Sequence, residues 1–474
     1  MQASHIIEKN TTNNVNNSKA LRKIETAYNN FVSSLDELKL NKNNISYEEQ
    51  EEIIVRLSHD IGKAGLSEIL SSKDINSTSI KIEDETYRHK HRAKRTYQTS
   101  LGPVSIERHV YVNRKKNGSR TTVCPLELSS GIVESYWTPS AAKKSAWALA
   151  HLTPQELEDI LLRFGAMNPS RSSLERLPKI LLNQWEPKNI ENYGYLMSEE
   201  EIPENAVAIA VSLDGVMIAM KPEKADKNQS DKRRVNWREA SCGTISFIDS
   251  DGEKISTIQY GQMPEHKKAT LKNLLKKNVE VILKKKSSLK VVYVADGAQD
   301  NWTFIEEALP HGIQITDFYH ACQYLKSAFN AAYPDVQEKA CTKFKSYKKI
   351  LRDEAGGISK TLRALRNLRS NNKTNKEISA AVTYFTNNQH RMKYFEIKEK
   401  KLPIGSGIVE AACKTLVGQR MKRSGMSWSH YGGNSILNLR AITKSHRFDS
   451  AWKLMINKYK KEGIECSNVI PMFD

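Results

Sequence analysis

The stretch Val207-Ala-Ile-Ala-Val-Ser-Leu-Asp214-Gly-Val216 decides the reading of the fold. It is the kind of nearly continuous apolar run that fills a strand buried on both faces, broken here by a single acid. A carboxylate in such a strand is costly unless its charge is compensated, and a metal ion is the usual compensation. Working outward, strand patterns recur at residues 240–248 and 254–260 around the turn Asp249-Ser-Asp-Gly252, which predicts an antiparallel meander of three strands. Pro264 is expected to open a helix reaching about Lys286. The apolar strand Lys290-Val-Val-Tyr-Val-Ala295 then stops at Asp296-Gly297, placing a second acid at a strand end. A helix over 300–309, a short strand over 313–316, and Asp317-Phe-Tyr-His320 opening a further helix complete the order β-β-β-α-β-α-β-α.

That order, with one acid inside the first strand and another just after the fourth, is the layout of an α/β ribonuclease-H-like catalytic domain. Such a fold needs a third acid on a late helix. Glu410, in Pro403-Ile-Gly-Ser-Gly-Ile-Val-Glu-Ala-Ala-Cys-Lys414, follows a Gly-rich turn and supplies it. Three acids from distant chain positions suit two divalent ions roughly 3.5 to 4 Å apart, one activating an attacking oxygen and one stabilising a leaving oxygen. Carboxylate and water ligands favour magnesium, with manganese as a substitute. Each acid also has an ordinary reading: Asp214 and Asp296 each precede a glycine as turn residues do, and Glu410 fits a helix surface. Only the three in this order point to a metal site.

Composition narrows the partner. Over 474 residues, Lys and Arg total 73 against 54 Asp and Glu, a formal charge of +19 that attracts a polyanion whatever its sequence. Nucleic acid, double-stranded DNA included, is the leading partner class. Mean hydropathy is −0.58, and neither a membrane span nor a signal-peptide apolar core is visible, so a cytoplasmic, nucleoid-associated protein is expected. The six cysteines are widely spaced without a Cys-x-x-Cys pair, which argues for reduced, structural thiols.

Before the strand run, residues 1–20 read as a disordered arm and 21–75 as two amphipathic helices broken at 41–46. Residues 76–125 read as a basic β-hairpin region around the turn Leu101-Gly-Pro103. Between Tyr87 and Arg120 ten Lys or Arg accompany one acid, Glu107, so Arg92, Lys94 and Arg95 become candidate phosphate contacts, a solvated basic face being the alternative. Residues 126–195 read as a helix-turn-helix-like DNA-binding domain, or as plain three-helix packing. Arg171 opens its third helix, and Pro178 is expected to shorten or kink that helix.

After the strand run, 203–330 with 402–430 form the expected catalytic domain, 331–401 an all-helical insertion, and 431–474 a C-terminal helical segment. Arg363 and Arg366, with Arg369, stand at three-residue spacing on one helical side that suits a DNA backbone. Arg420, Lys422 and Arg423 precede Trp428, which is read either as a stacking surface for an unpaired base or as core.

The blocks SLDGV, VADGAQDNW, DFYHACQYL, PIGSGIVEAACKTLV and QRMKRSGMSW resemble those of the Kra-four family of bacterial insertion-sequence transposases, DDE enzymes more distantly similar to Mutator-like transposases. The resemblance runs from about Ala206 to Lys453. It implies that Asp214, Asp296 and Glu410 bind the metal, and that His320 stands near the scissile phosphate, although a helix-capping Asp317 and a surface His320 account for the same residues. It also implies binding of terminal inverted repeats, metal-dependent strand cleavage and strand transfer, and a homodimer or higher synaptic oligomer. The competing readings are an inactive or domesticated DNA-binding protein and a ribonuclease-H-like nuclease. A haloacid-dehalogenase-type phosphatase is set aside because position 216, two after Asp214, is Val.

Overall fold

The computed structural model describes residues 17–40, 45–115, 118–164, 167–183, 185, 188–222 and 236–467. The chain divides into two compact units, residues 1–181 with 452–474 and residues 182–451.

The first unit begins with helices α1 (Asn17–Leu40) and α2 (Tyr47–Ser71). The last four residues of the expected disordered arm are therefore helical, and residues 1–16 lie outside the described residues. Helix α2 starts where Ser46 and Glu49 form a reciprocal capping box, which satisfies two donors that a helix start leaves open. Strands β1 (Ser79–Ile82), β2 (Glu85–Thr99), β3 (Gly102–Arg114), β4 (Arg120–Val123) and the late β10 (Glu465–Ser467) form one antiparallel sheet in the order β10-β1-β2-β3-β4. The expected hairpin is β2–β3, with a register shift between His89 and His91. Tyr97, Val104 and Ile106 bury one face against Leu70 of α2 and Leu126 of α3 (Pro125–Ser130), while most of β2 stays in solvent.

Three helices follow, α4 (Pro139–Leu149), α5 (Pro154–Phe164) and α6 (Arg171–Leu182). Proline opens the first two, where its missing N–H costs nothing. Thr153 and Glu156 form a second capping box. Helix α6 is not cut short at Pro178, as one form of the expectation had it, but runs on to Leu182. Leu174, Leu177 and Leu181 are all buried, and that apolar stripe holds the helix across the donor that proline removes.

In the second unit α7 (Asn189–Ser198) precedes β5 (Ala208–Met220), β6 (Asn236–Ile248), β7 (Lys254–Gln262), α8 (Ala269–Lys285), β8 (Lys290–Ala295), α9 (Gln299–Ala308), β9 (Ile313–Thr316) and α10 (Phe318–Ala332). The sheet order is β7-β6-β5-β8-β9. Strand β5 is central, antiparallel to β6 and parallel to β8. The Lys-rich excursion over 221–234 lies outside the described residues apart from 221 and 222. Helix α8 begins five residues later than its proline suggests. Lys267 and Lys268 hold left-handed backbone (φ 51° and 55°), and the Glu265 carboxylate caps the delayed start by accepting from the N–H of Thr270 (2.9 Å) and Leu271 (3.2 Å).

Helices α11 (Gln337–Asp353), α12 (Gly357–Asn371), α13 (Lys376–Asn388) and α14 (Tyr394–Glu399) share one core with a face of the sheet. Ala210, Val292 and Val294 meet Phe318, Leu365 and Phe385 there. Each fully buried Leu or Phe adds on the order of 2 kcal/mol. Further along the same face of β5, Ile218, Cys242 and Met263 pack against Val409, Leu416 and Leu437, while Leu271 and Leu275 of α8 cover the opposite face at Gly243. Val409, Leu416 and Leu437 come from a single interrupted helix, α15 (Gly407–Ala412), a π-helical turn Cys413–Gly418 and α16 (Gln419–Met421), and from α17 (His430–Lys444). Helix α18 (Phe448–Asn457) returns the chain to the first unit.

Candidate active site

Strands β5 and β8 pair in parallel up to Ser212 opposite Val294. Two residues further along each strand stand Asp214 and Asp296, and a period of two keeps both side chains on the same face. Burial along β5 is continuous from Ala208 to Leu213 and relaxes at Asp214. The acid thus occupies the first position that water reaches. Its Oδ1 accepts from the Gly215 N–H at 2.7 Å, and its Oδ2 lies 3.7 Å from the Cys413 sulfur. Burial holds the Asp214 carboxyl above the ordinary aspartate range and the nearby Asp296 charge adds to the rise, while the Gly215 N–H and Lys268 favour the charged form. Asp296 is steadied through a single oxygen, Oδ1, which accepts from the Ala298 N–H (3.1 Å) and the Asn301 amide (3.0 Å).

The two Asp-Gly pairs do different work. Gly297 has φ 85° and makes the turn out of β8. Gly215 makes no turn, because β5 continues through it to Met220. A Cβ there would stand 1.5 Å from the Glu239 carboxylate, so the glycine lets that side chain lie over it and a larger residue would push it aside. Glu239, on β6, is paired with Lys268 at 2.9 Å. Lys268 thereby reaches the carboxylates from a strained backbone position, worth roughly 1 kcal/mol or more of stored strain. Sequence reading missed Glu239, Lys268 and Cys413. The strand register that sets Cys242 opposite Asp214 and Glu239 opposite Met217 was the usable signal for the first, and the three-residue spacing of Cys413 from Glu410 for the last. Nothing in the sequence marked Lys268.

Glu410 is exposed on α15 and accepts from the Ser406 hydroxyl at 3.3 Å. Cys413, which touches Asp214, lies one turn along the same side of that helix. Among the described residues no three His, Cys, Asp or Glu are grouped closely enough to hold a metal ion. The donor chemistry of Asp214 and Asp296, two carboxylates close enough for the Asp296 charge to oppose charging of Asp214, fits a hard cation; Glu410 stands outside that pair. Asp317 is buried and caps α10, accepting from the N–H of His320 and also of Ser406. The Phe318 N–H donates to Ile404 O at 3.0 Å, so the turn that carries Glu410 is held to the start of α10. The His320 ring packs edge-on to Tyr324 and Tyr384, at 5.5 and 5.9 Å between centroids.

The basic candidates divide. In the first unit Arg92 pairs with Glu107 (3.1 Å), Arg95 donates to Ser135 O (2.9 Å), and Lys94 is exposed. Arg171 is engaged within its own helices, with Glu175 and Gln155 both at 3.1 Å. In the second unit Arg363, Arg366 and Lys422 are exposed. Arg420 corrects the expectation of a surface contact. It is 2% exposed, beneath Trp428 at 5.6 Å, so its guanidinium belongs to the interior. Trp428 packs on the α15 core and donates from Nε1 to Met421 O at 2.9 Å. Arg423 donates to Gln419 O at 3.0 Å. Burial and the charges of Arg420 and Arg423 bring the neighbouring Arg440 down to about 10. Arg440 in turn holds the carbonyls of Thr415 and Leu416 that the π turn leaves open. All six cysteines are unpaired.

The second unit is thus a mixed α/β body in which Asp214, within the central strand, stands near Asp296, just past the end of the parallel strand beside it. Residues 188–451, more than half the chain, match the Uncharacterised protein family (UPF0236), and the chain belongs to that family. The comparison with curated proteins returns no match. Among solved structures, the Drosophila P element transposase strand transfer complex is similar at 12% identity, over 74% of this chain and 84% of that one, with a TM-score of 0.25. No helix among the described residues is long and apolar enough to cross a membrane.

Proposed function

We propose that this chain is a DNA transposase of an insertion sequence, of the Kra-four kind, cutting at terminal inverted repeats and joining the freed ends to target DNA. The observation that carries the reading is the closeness of Asp214, within β5, to Asp296, just past the end of the neighbouring parallel strand β8. The sheet order, with β5 central and β8 beside it, supports a ribonuclease-H-like assignment, and the net charge of +19 supports a polyanionic substrate.

In this reading Asp214 and Asp296 hold magnesium, or manganese in its place, with Glu410 as the third acid. Bound divalent ions would stabilise charge on the attacking and leaving oxygens of a phosphodiester. The chain's own contribution is orientation. Asn301 and the Ala298 N–H fix the Asp296 carboxylate, and the Asp317 link holds the turn that presents Glu410. Lys268, beside the acids, offers a cation to a phosphate. Water cleaves the bond at the element's end to leave a 3′ hydroxyl, and that hydroxyl then attacks a target phosphodiester and releases the target's own 3′ oxygen. His320 is assigned a place near the scissile phosphate, and the exposed Arg363, Arg366, Lys422 and Lys94 are assigned to the DNA backbone. The helices α4 to α6 are assigned to end recognition in a helix-turn-helix-like manner, and a homodimer or larger assembly to holding two ends together.

The test is incubation of the purified protein with magnesium and a duplex carrying the element's end, wild type against Asp296→Ala, read on a denaturing gel. Cleavage at the end that the variant loses while still binding DNA is the expected result. Binding without cleavage in either metal would instead favour an inactive DNA-binding protein.

A further inference from the structure

A cavity of about 430 Å³ opens within the second unit beside the acid pair. It is lined by Gly297, the residue after Asp296, by Gln299 at the start of α9, by Tyr324 of α10, and by Ala380, Tyr384 and Asn387 of α13. The rings of Tyr324 and Tyr384 are stacked, with centroids 4.0 Å apart and planes 11° from parallel. Tyr384 also closes on the backbone after the acid, since a Cβ at Gly297 would stand 2.6 Å from its ring. That approach is open only to glycine. The Tyr384 hydroxyl is buried and has no hydrogen-bond partner among the described residues, an unmet donor and acceptor of the kind a bound ligand satisfies.

The lining selects for a particular chemistry. It holds no carboxylate and no aliphatic side chain larger than alanine. It offers instead aromatic rings, side-chain amides and one arginine, Arg391, whose guanidinium carbon lies over the Trp302 ring at 4.2 Å. Amides present paired donors and acceptors in one plane, and tyrosines present a flat surface; a flat heteroaromatic ring with both donors and acceptors on its edge meets both. The volume falls within the range of small-molecule sites. A long aliphatic ligand would find no apolar wall there, and a free anion would face a single cation already engaged with Glu306 and Gln314.

We propose that this cavity receives an unpaired nucleobase from the DNA strand whose phosphate lies at Asp214 and Asp296. The proposal rests on the DNA reading above and adds to it a base-holding site next to the acids. Stacking of a base on an aromatic side chain contributes about 1 to 3 kcal/mol with little sequence preference, so the site would steady a strand near the cut without reading its sequence.

The test uses the full chain without divalent metal, so that it does not depend on cleavage. In a first arm the 5′-monophosphate of 2-aminopurine deoxyriboside is titrated with protein and its fluorescence followed. In a second the same base stands unpaired at the 3′ end of a duplex. Ala380→Trp, at an exposed position on the lining, fills the cavity, and Asn387→Ala removes an amide from it. Saturable quenching in the wild type, weakened at least tenfold by both variants while a fully paired duplex binds them as before, is the expected result. Absence of saturable quenching in the wild type, or equal quenching in Ala380→Trp, overturns the proposal. Quenching of the free nucleotide without quenching at the duplex end overturns the assignment to a DNA strand. Should Ala380→Trp fail to fold, judged by circular dichroism, Asn387→Ala decides.

Discussion

The two sheets of this protein treat charge in opposite ways. In β2 the basic and imidazole side chains from Arg88 to Arg95 are exposed, and the strand carries them with one surface ion pair, Arg92 with Glu107, because little of it is buried. In β5 six consecutive residues are buried before the first charge, and that charge is one carboxylate set beside another. A solvated sheet tolerates charge anywhere along its length. A covered sheet admits it only where burial ends, and there it acquires an altered protonation energy that chemistry can use.

The contrast can be broken most directly at its acid end. Asp214→Asn is expected to lower metal-dependent DNA cleavage on the order of 10³-fold while duplex binding by fluorescence anisotropy stays within about twofold, the scale for losing one electrostatic group at a reacting centre. Equal cleavage by the variant would dissolve the comparison, since Asp214 would then be no more than a strand residue. Next in size, Phe247→Ala on buried β6 is expected to cost about 3 to 5 kcal/mol in denaturant unfolding, whereas Lys94→Ala on exposed β2 should stay within about 0.5 kcal/mol. A smaller effect concerns pH. Because the folded-state carboxyl of Asp214 is raised above its ordinary value of 3.8, protonation stabilises the fold; that contribution is complete below about pH 3.8 and is lost as pH rises through the folded value. Metal-free Asp214→Asn should therefore melt slightly above wild type at neutral pH, with the gain vanishing in acid. Smallest of all, Lys94→Gln should reduce the slope of log binding constant against log salt by about 1 if that lysine meets a phosphate, with no change in cleavage once DNA is bound.

Much of the covered sheet was legible because burial leaves long apolar runs: residues 207–216 and 290–295 read as strands, and as strands they lie side by side. The acid pair followed from the same runs. What lay hidden was set by contacts across the chain. Two Asp-Gly dipeptides look identical in sequence, yet one glycine turns the chain and the other makes room for Glu239. The late start of α8 depends on two lysines in left-handed backbone, for which lysine carries no local preference. Arg420 and Lys422 are near neighbours with like charge, and only packing under Trp428 separates an interior guanidinium from an exposed amine. At residue 178 proline did not end the helix, because a leucine stripe outweighed a lost donor. Glu410 was read as a third acid, and where it stands relative to Asp214 and Asp296 is a matter of helix placement that no spacing rule encodes.

The double fastening of α10 to the turn before α15, through Asp317 to Ser406 and Phe318 to Ile404, has a consequence for how this chain tolerates change. Everything between those two points leaves and re-enters the sheet at one neck. The closure entropy of such an excursion grows only with the logarithm of its length, about 0.6 kcal/mol for each doubling. The turns between helices α11 to α14 can therefore lengthen at small thermodynamic cost, while the neck and the core that those helices share with the sheet stay in place. Variation in what is held and constancy in what holds it are both available to the same stretch of chain.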